Sequence, residues 1–417
     1  MVLTTIGSLG DLYPVLSLAR ALEARGIETR LALSPDDCEM ARRWGLLATP
    51  IGPSEAEVCA ALGLTRDEIA AAVLKDPGPL IRDALMPLLP DMAREIAALC
   101  DRAGCVAGTT FALGGSLAAE MTGTPYVPLI LQPFMALAPS DPPRGGTFRY
   151  TRRPAEGWAL AWNRAYLGLA HRVLRWRHGR ALTRVRRGLG LPPQPGTPLL
   201  DHGADVPLRL GLWSPRFSPL PADAPPKLTL AGFPPAPEGT LPPEVRRWIS
   251  EGPAPLVVTL GSIAQGLGRD DFWQEAAAMA RTMGLRAVLL HGDAPAPEGP
   301  DLLPLRYGAH AELFPQAAAI VHHGGIGTTA EALRSGRPQL VLPVGGDQPD
   351  NAARLERMGA AVTMPVLRFT GAAGATLLSD FLQSYPWDAA ADRARALTEE
   401  DGAAMAARLL ESIVLER

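Results

Sequence analysis

The sequence has few cysteines, no long apolar run and almost no net charge, and each shortage argues against a class of protein. Its 417 residues contain four cysteines without a Cys-x-x-Cys pair, which favours reduced thiols over a disulfide framework or a zinc site. No apolar run approaches the roughly 18 residues needed to span a bilayer, and no basic segment of a signal peptide precedes the first apolar stretch. The formal net charge of −3 gives no general reason to expect nucleic acid. These shortages predict a cytoplasmic globular protein.

Strand-like and helix-like segments alternate along the chain, and this alternation predicts α/β architecture with parallel sheets. The first series starts at the first residue and stops near 190, where proline-rich segments begin. A second series starts with PLVVTLGS, residues 255–262, and continues past PQLVLPVGG. We therefore predict two Rossmann-like domains over 1–222 and 223–386, followed by helices over 387–417.

The segment VHHGGIGTTAEALRSG, residues 321–336, carries the strongest local signal for a binding site. The apolar residues 317–321 predict a buried strand, and residues 328–335 predict a helix that Gly336 ends. Between them, glycines at 324, 325 and 327 allow a sharp turn and leave backbone amides uncovered. Uncovered amides ahead of a helix favour an anion, so this segment predicts a phosphate site with a histidine beside it.

Two other interpretations of this segment are open from the residues alone. Gly325, Gly327 and Ala330 satisfy the G-x-G-x-x-A pattern, and Asp347 follows where a ribose-binding acid is expected, which would suit an NAD-dependent oxidoreductase. That pattern is short and gives the histidines no role. The His322–His323 pair would suit a metal, but adjacent strand residues point to opposite faces and no third ligand has a diagnostic spacing. We expect His322 to make structural hydrogen bonds.

The longer run HHGGIGTTAEALRSGRPQLVLPVGGDQPDN, residues 322–351, resembles the donor-binding signature of nucleotide-sugar glycosyltransferases with the GT-B fold. It is most similar to the bacterial branch that contains rhamnolipid-type rhamnosyltransferases, sterol glucosyltransferases and glycopeptide glucosyltransferases. The similarity extends to GSLGDLYP and LILQPFMALAPSDPP. The resemblance implies two Rossmann-like domains facing across a cleft, with the acceptor in the first and the donor in the second. It also implies terminal helices that cross back to the first domain.

The resemblance assigns several residues to the diphosphate of a UDP- or dTDP-sugar. His323 would hydrogen-bond the diphosphate and offset the charge that develops on the leaving group. The amides at the start of the following helix would hold the same phosphates, and the turn after PLVVTL would approach from the other side. These further residues are Gly261, Ser262, Gly325, Gly327 and Thr328.

The rest of the donor has its own expected contacts. Glu331 would accept hydrogen bonds from the ribose hydroxyls. Asp347 and Gln348 follow the next strand and would bind the transferred sugar, although turn formation alone would also explain Asp347. By resemblance, Tyr307 would stack on the base and His310 would lie near its edge.

Asp11 is the candidate general base, because transfer to an alcohol needs a group that takes the hydroxyl proton. Many related enzymes use a histidine near the N-terminus, but the first histidine in this chain is His171. The glycopeptide and sterol branch has an aspartate at the position that matches Asp11. The alternative is that Asp11 only caps a helix starting at Leu12. Direct attack opposite the leaving group would invert the sugar centre, and nothing in the arrangement requires a metal or a resident cofactor.

Residues 144–187 contain twelve arginines and a single acidic residue, Glu156. Large apolar residues recur among them at helical spacing: Trp158, Trp162, Tyr166, Leu169, Val173 and Trp176. One interpretation is a basic amphipathic helix that contacts an anionic membrane surface or an acidic lipid acceptor. The other is a helix that packs this apolar stripe on the N-terminal domain and leaves its arginines in water.

The sequence thus predicts an inverting, metal-independent glycosyltransferase that uses a UDP- or dTDP-sugar and a small hydrophobic or lipid-like hydroxyl acceptor. It would be cytoplasmic, with peripheral contact at the inner membrane surface as an option. The alternatives are a sugar-nucleotide epimerase of the same fold, an NAD-dependent oxidoreductase, and a sugar-nucleotide binding protein without catalysis.

Overall fold

The computed structural model describes residues 1–194, 205–235, 239–261 and 270–415. The chain forms two compact units. The first comprises Met1–Pro143, Thr147–Pro235 and Asp401–Arg417, and the second comprises Arg144–Gly146 and Ala236–Glu400. The predicted boundary at 222 differs from this division, because residues 228–230 form a strand of the first unit's sheet.

The first unit is built on a seven-stranded parallel sheet. Its strands are β1 (Val2–Thr4), β2 (Arg30–Leu33), β3 (Ala48–Pro50), β4 (Val106–Thr109), β5 (Tyr126–Ile130), β6 (Arg209–Gly211) and β7 (Leu228–Leu230). Its helices up to residue 188 are α1 (Leu9–Glu23), α2 (Pro35–Arg43), α3 (Glu55–Leu62), α4 (Arg66–Lys75), α5 (Gly78–Leu80), α6 (Met86–Leu99), α7 (Leu113–Thr122) and α8 (Gly157–Gly188), and a π-helical turn (Ile81–Leu85) joins α5 to α6. The central strands are almost wholly apolar and buried, as expected for a parallel sheet covered on both faces.

The second unit is built on a six-stranded parallel sheet. Its strands are β8 (Leu256–Thr259), β9 (Ala287–Leu290), β10 (Leu302–Leu305), β11 (Ala319–His322), β12 (Gln339–Val341) and β13 (Ala361–Thr363). Its helices are α9 (Pro243–Ser250), α10 (Phe272–Thr282), α11 (His310–Leu313), α12 (Ile326–Ser335), α13 (Gln348–Arg357), α14 (Gly371–Gln383) and α15 (Trp387–Thr398).

Both sheets reverse their strand order beside their first strand. The order is β3-β2-β1-β4-β5-β6-β7 in the first unit and β10-β9-β8-β11-β12-β13 in the second. In open α/β sheets, ligands bind at the carboxyl ends of the strands where the order reverses. This rule points to the ends of β1 and β4 in one unit and to the ends of β8 and β11 in the other.

The last described helix, α16 (Gly402–Leu415), belongs to the first unit and packs against α1. Its residues Ala406, Ala407 and Leu410 are buried in the same apolar cluster as Leu22 of α1. Helix α15 lies in the second unit, where it packs against α12. Of the predicted tail helices, therefore, α16 is part of the first unit and α15 is not.

Helix α8 has 32 residues and buries a different face from the predicted one. The residues that it buries are Ala159, Asn163, Leu167, His178, Leu182, Val185 and Arg186. Of the predicted apolar stripe, all but the half-buried Tyr166 are exposed. The prediction that this stripe packs on the N-terminal domain is therefore wrong, because side chains on the opposite side of the helix are the buried ones. Within the described residues, no helix combines the length and apolarity that crossing a membrane requires.

Candidate active site

The N-terminus of α12 lies at the end of β11, where the sequence predicts an anion site. The helix begins at Ile326, two residues before the predicted start, and ends at Gly336 in a left-handed conformation with φ of 67°. Gly325 is its N-cap and supplies no side-chain cap. Within the described residues, the backbone amides of residues 326–328 have no hydrogen-bond acceptor. A helix start without a cap leaves these donors, and the positive end of the helix dipole, for a bound anion.

The imidazole of His323 lies beside this helix start, between two glycines. A Cβ built on Gly261 would overlap ring atom Cε1, and one built on Gly325 would overlap Nε2. Gly261 follows β8 and has φ of 69°, which other residues rarely adopt. The two backbones therefore approach the ring closely because neither residue has a side chain.

Burial and, to a lesser extent, the neighbouring His322 and His310 together lower the pKa of His323 to about 3. The unliganded imidazole is thus neutral at physiological pH. Its buried Nδ1 has no hydrogen-bond partner among the described residues. The positive character of this site therefore comes from the amides of α12 until an anion is bound.

His322 has the structural role that we predicted. Its Nδ1 accepts a hydrogen bond from the Gly324 amide at 3.2 Å, so its Nε2 carries the proton and donates to Gln339 Oε1 at 3.0 Å. The ring is fully buried, and burial lowers its pKa to about 4. His322 thus holds the glycine turn, while His323 points to the other side of the strand.

The loop after β12 brings Asp347 and Gln348 to the same edge of the sheet. Gln348 Oε1 accepts hydrogen bonds from the amides of Val344, at 2.8 Å, and Gly345, at 3.3 Å. These hydrogen bonds hold the loop in place through the oxygen of Gln348, and its amide nitrogen is the group that could donate to a ligand.

Asn351 lies at the same edge of the sheet and was not among the predicted site residues. Its Nδ2 donates to the Gly324 carbonyl at 2.9 Å and to Asp347 Oδ2 at 2.7 Å. The side chain therefore ties the glycine turn after β11 to the loop after β12. In the sequence, the only sign that Asn351 has a role here is its position at the end of the 322–351 signature.

The residues expected to bind the ribose and the base, Glu331, Tyr307 and His310, also lie in the second unit. Glu331 is buried and paired with Arg334 at 2.5 Å, so one of its two oxygens is already occupied. Tyr307 is 62% exposed, and the ring of His310 stacks on Phe314 with centroids 4.4 Å apart. Ser262 lies outside the described residues.

In the first unit, Asp11 follows β1 and is the third residue of α1. The N-cap of this helix is Ser8, so the prediction that Asp11 itself caps a helix starting at Leu12 is wrong in detail. Asp11 Oδ2 instead closes a capping box, accepting from the Ser8 amide at 2.8 Å and the Ser8 hydroxyl at 3.0 Å. Burial raises the pKa of its carboxyl to about 6, against the effect of these hydrogen bonds. Both hydrogen bonds from the described residues go to Oδ2, which leaves Oδ1 for a proton.

Two threonines connect the strand ends next to Asp11. Thr5 follows β1, Thr109 ends β4, and their hydroxyls are hydrogen-bonded at 2.8 Å in a buried position. Asp11 thus lies at the point where the strand order of the first sheet reverses.

Comparisons with known proteins agree with this geometry. Residues 301–409 match the family model of the erythromycin biosynthesis protein CIII-like C-terminal domain. The chain is 30% identical over 433 residues to O-mycaminosyltylonolide 6-deoxyallosyltransferase of Streptomyces fradiae, covering 100% of this chain and 94% of the relative. It is also 30% identical over 428 residues to vancomycin aglycone glucosyltransferase of Amycolatopsis orientalis, covering 98% and 96%.

Solved structures show the same fold at lower identity. The glycotransferase of kitacinnamycin superposes with a TM-score of 0.72 at 20% identity, covering 99% of this chain and 98% of that one. The glycosyltransferase VinC in complex with dTDP superposes with a TM-score of 0.70 at 20% identity, covering 100% of both chains. The predictions of a GT-B fold and of transferase rather than epimerase or oxidoreductase activity are confirmed: the chain belongs to the GT-B, family 1-like glycosyltransferases.

Proposed function

We propose that the protein moves a sugar from a dTDP- or UDP-sugar to a hydroxyl of a small hydrophobic acceptor, with inversion and without a metal. The observation that carries this proposal is the His323 imidazole beside the open amides of α12, where the strand order of the second sheet reverses. Three solved relatives of the same fold hold dTDP, which favours dTDP over UDP. The acceptors in the relatives' names, a tylonolide derivative and the vancomycin aglycone, favour a natural product as the acceptor.

The α12 amides and His323 would bind the diphosphate. A bound diphosphate would raise the pKa of His323 above about 3, because an adjacent anion favours the imidazolium. The amides of Gly327 and Thr328 lie in the first turn of α12 and, with that of the N-cap Gly325, would need no rearrangement to stabilise the leaving group. This combination would offset the charge of the departing nucleoside diphosphate without a divalent ion.

Asp11 would act as the general base. With a pKa of about 6, its carboxyl is mostly ionised at neutral pH and is a stronger base than an ordinary aspartate. The acceptor oxygen would bond to the anomeric carbon while the bond from that carbon to the phosphate oxygen breaks on the opposite side. The hydroxyl proton would pass to Oδ1, and the electron pair of the broken bond would leave with the diphosphate.

The remaining donor contacts are part of the same proposal. Asp347 and the Gln348 amide nitrogen would bind hydroxyls of the transferred sugar, and the second oxygen of Glu331 would bind the ribose. Tyr307 would stack on the base with His310 near its edge. Gly261, with the adjacent Ser262, would leave room for the diphosphate on the side of β8.

Calorimetric titration with dTDP, UDP and NAD tests the donor site. We expect dTDP to bind most tightly, with affinity unchanged by a chelator and at least about tenfold weaker for His323→Ala, because a hydrogen bond to a charged group is lost. The control is His171→Ala, which removes a histidine of α8 and should bind dTDP as the wild type does. Binding of NAD alone, or equal binding by His323→Ala, would contradict the proposed donor site.

The stereochemical outcome is tested with the transferase reaction itself. The anomeric proton of the product, followed by NMR, should show the configuration opposite to that of the donor sugar. Retention of configuration would exclude direct displacement by the acceptor, whatever the donor.

A further inference from the structure

Five large apolar side chains are exposed along one side of α8. They are Trp158, Trp162, Leu169, Val173 and Trp176, with Trp158 72% and Trp176 79% exposed. Their spacing places them within about 60° of one another around the helix axis. Tryptophan is usually largely buried, so an exposed row of three requires an explanation. We call this row, together with the arginines beside it, the outer face of α8.

The same helix is strongly basic. It contains eight arginines and no acidic residue. Arg186, on the buried side of the helix, forms an ion pair with Glu120. Arg177 Nη1 lies 3.7 Å from Asp76 Oδ2. The other six make no ion pair with any described residue: Arg164, Arg172, Arg175, Arg180, Arg184 and Arg187. Arg172 and Arg180 are exposed and lie within about 40° of Trp176 around the axis, so charge and apolar surface share the outer face.

We propose that the outer face of α8 binds the surface of an anionic lipid bilayer. Trp158 and Trp176 lie about 27 Å apart along the helix, so the row would contact a flat surface while lying parallel to it. Indole rings partition to the boundary between headgroups and acyl chains, and arginines there are attracted to anionic lipids. A second copy of this chain would instead bring the unpaired arginines of both helices together, which like-charge repulsion opposes.

Co-sedimentation of the full chain with lipid vesicles tests this proposal. We expect binding to vesicles of mixed phosphatidylcholine and phosphatidylglycerol, weaker binding at high salt, and none to phosphatidylcholine alone. Arg172→Gln/Arg180→Gln should weaken the partition by on the order of tenfold, because each arginine near an anionic surface contributes separately. Trp158→Ser/Trp176→Ser should weaken it comparably and reduce the blue shift of tryptophan fluorescence that accompanies binding, leaving only the contribution of Trp162 from this row.

The control is Arg247→Gln/Arg281→Gln, which removes the same charge from two exposed positions on α9 and α10 of the second unit. This variant should bind vesicles as the wild type does. All the substituted side chains are exposed, so thermal unfolding should be unchanged in every variant. The proposal is overturned by absence of binding to anionic vesicles, or by equal losses in the control. It is also overturned if the tryptophan pair abolishes a dimer or capture of an acidic protein while vesicle binding persists.

Discussion

The Cα of Gly261 lies against the imidazole of His323, so close that a methyl group on this glycine would overlap the ring. Gly261 also has φ of 69°, which costs about 1 kcal/mol or more for an alanine. We therefore expect Gly261→Ala to reduce the free energy of unfolding by about 2–4 kcal/mol, through backbone strain and displacement of the ring. Urea unfolding measures this loss, and calorimetry should show that dTDP binding is lost with it.

Gly327→Ala is the matched control for stability. A Cβ on Gly327 would have no heavy atom within 4 Å, and the residue lies in the first turn of α12. Alanine is a better helix former than glycine by up to about 1 kcal/mol, so this variant should be as stable as the wild type or more so. Equal destabilisation by both substitutions would show that contact with His323 is not the cause.

The raised pKa of Asp11 predicts the pH dependence of transfer. In the proposed mechanism the ionised carboxylate is the active form, so the rate should fall about tenfold per pH unit below about 6. Asp11→Asn should lower the rate by about 10²–10⁴-fold at neutral pH, since the amide cannot take a proton. Its oxygen can still accept from the Ser8 amide, so the fold and dTDP affinity should remain. A variant that keeps its rate would exclude Asp11 as the base.

The buried histidines predict a loss of stability in acid. The unfolded chain binds a proton at His323 near pH 6.5, whereas the folded chain does so only near 3. A lowered folded pKa means that stability is lost as pH falls through this interval, by about 1.4 kcal/mol per pH unit for each such histidine. Asp11 acts in the opposite direction between about pH 6 and 3.8 because its folded pKa is raised.

The contribution of His323 is measured by urea unfolding between pH 6.5 and 4.5. The slope for His323→Ala should be shallower than that of the wild type by about 1.4 kcal/mol per pH unit, because the variant cannot take up that proton. Gly327→Ala, which leaves all the histidines in place and adds a methyl group with no heavy atom within 4 Å, should retain the wild-type slope. Identical slopes for all three proteins would show that His323 titrates normally.

Two adjacent arginines near the end of α8 should differ in their effect on stability. Arg186 is buried and makes two hydrogen bonds to Glu120, at 2.8 and 2.6 Å, whereas Arg187 is exposed. Arg186→Gln should cost about 2–3 kcal/mol of unfolding free energy, because it removes a buried guanidinium that donates to Glu120 and to the Pro192 carbonyl. Arg187→Gln removes the same charge and should cost less than about 0.5 kcal/mol. Equal costs would mean that net charge, and not the ion pair, sets the stability.

Much of the local structure around the proposed donor site could be predicted because the relevant signals are local. The strand, glycine turn and helix around His323 differ from the prediction by two residues at most, since glycine and apolar periodicity mark them directly. The opposite orientation of the two histidines follows from the period of a strand. The glycine pattern alone fits both a transferase and an oxidoreductase. The resemblance to a family of glycosyltransferases is what predicted the activity.

Other features could not be predicted because they depend on neighbours distant in sequence. The role of Asn351 requires the turn at Gly324 to lie beside it, and the two residues are 27 apart in the chain. Burial makes His323 neutral, and no sequence pattern reports burial of a single ring. Helix α8 has two faces with apolar residues, and periodicity alone does not show which one packs; the face with the larger side chains proved to be the exposed one.

The position of α16 affects how the chain folds during synthesis and which fragments of it can fold. The first unit is discontinuous in sequence: more than 160 residues separate Pro235 from the helix that covers α1. During synthesis, the apolar cluster around Leu22 therefore stays partly uncovered until Ala406, Ala407 and Leu410 have left the ribosome and can pack on it. A fragment that stops at Pro235 would expose this cluster and should aggregate, whereas a circular permutant that places α16 directly before β1 should not.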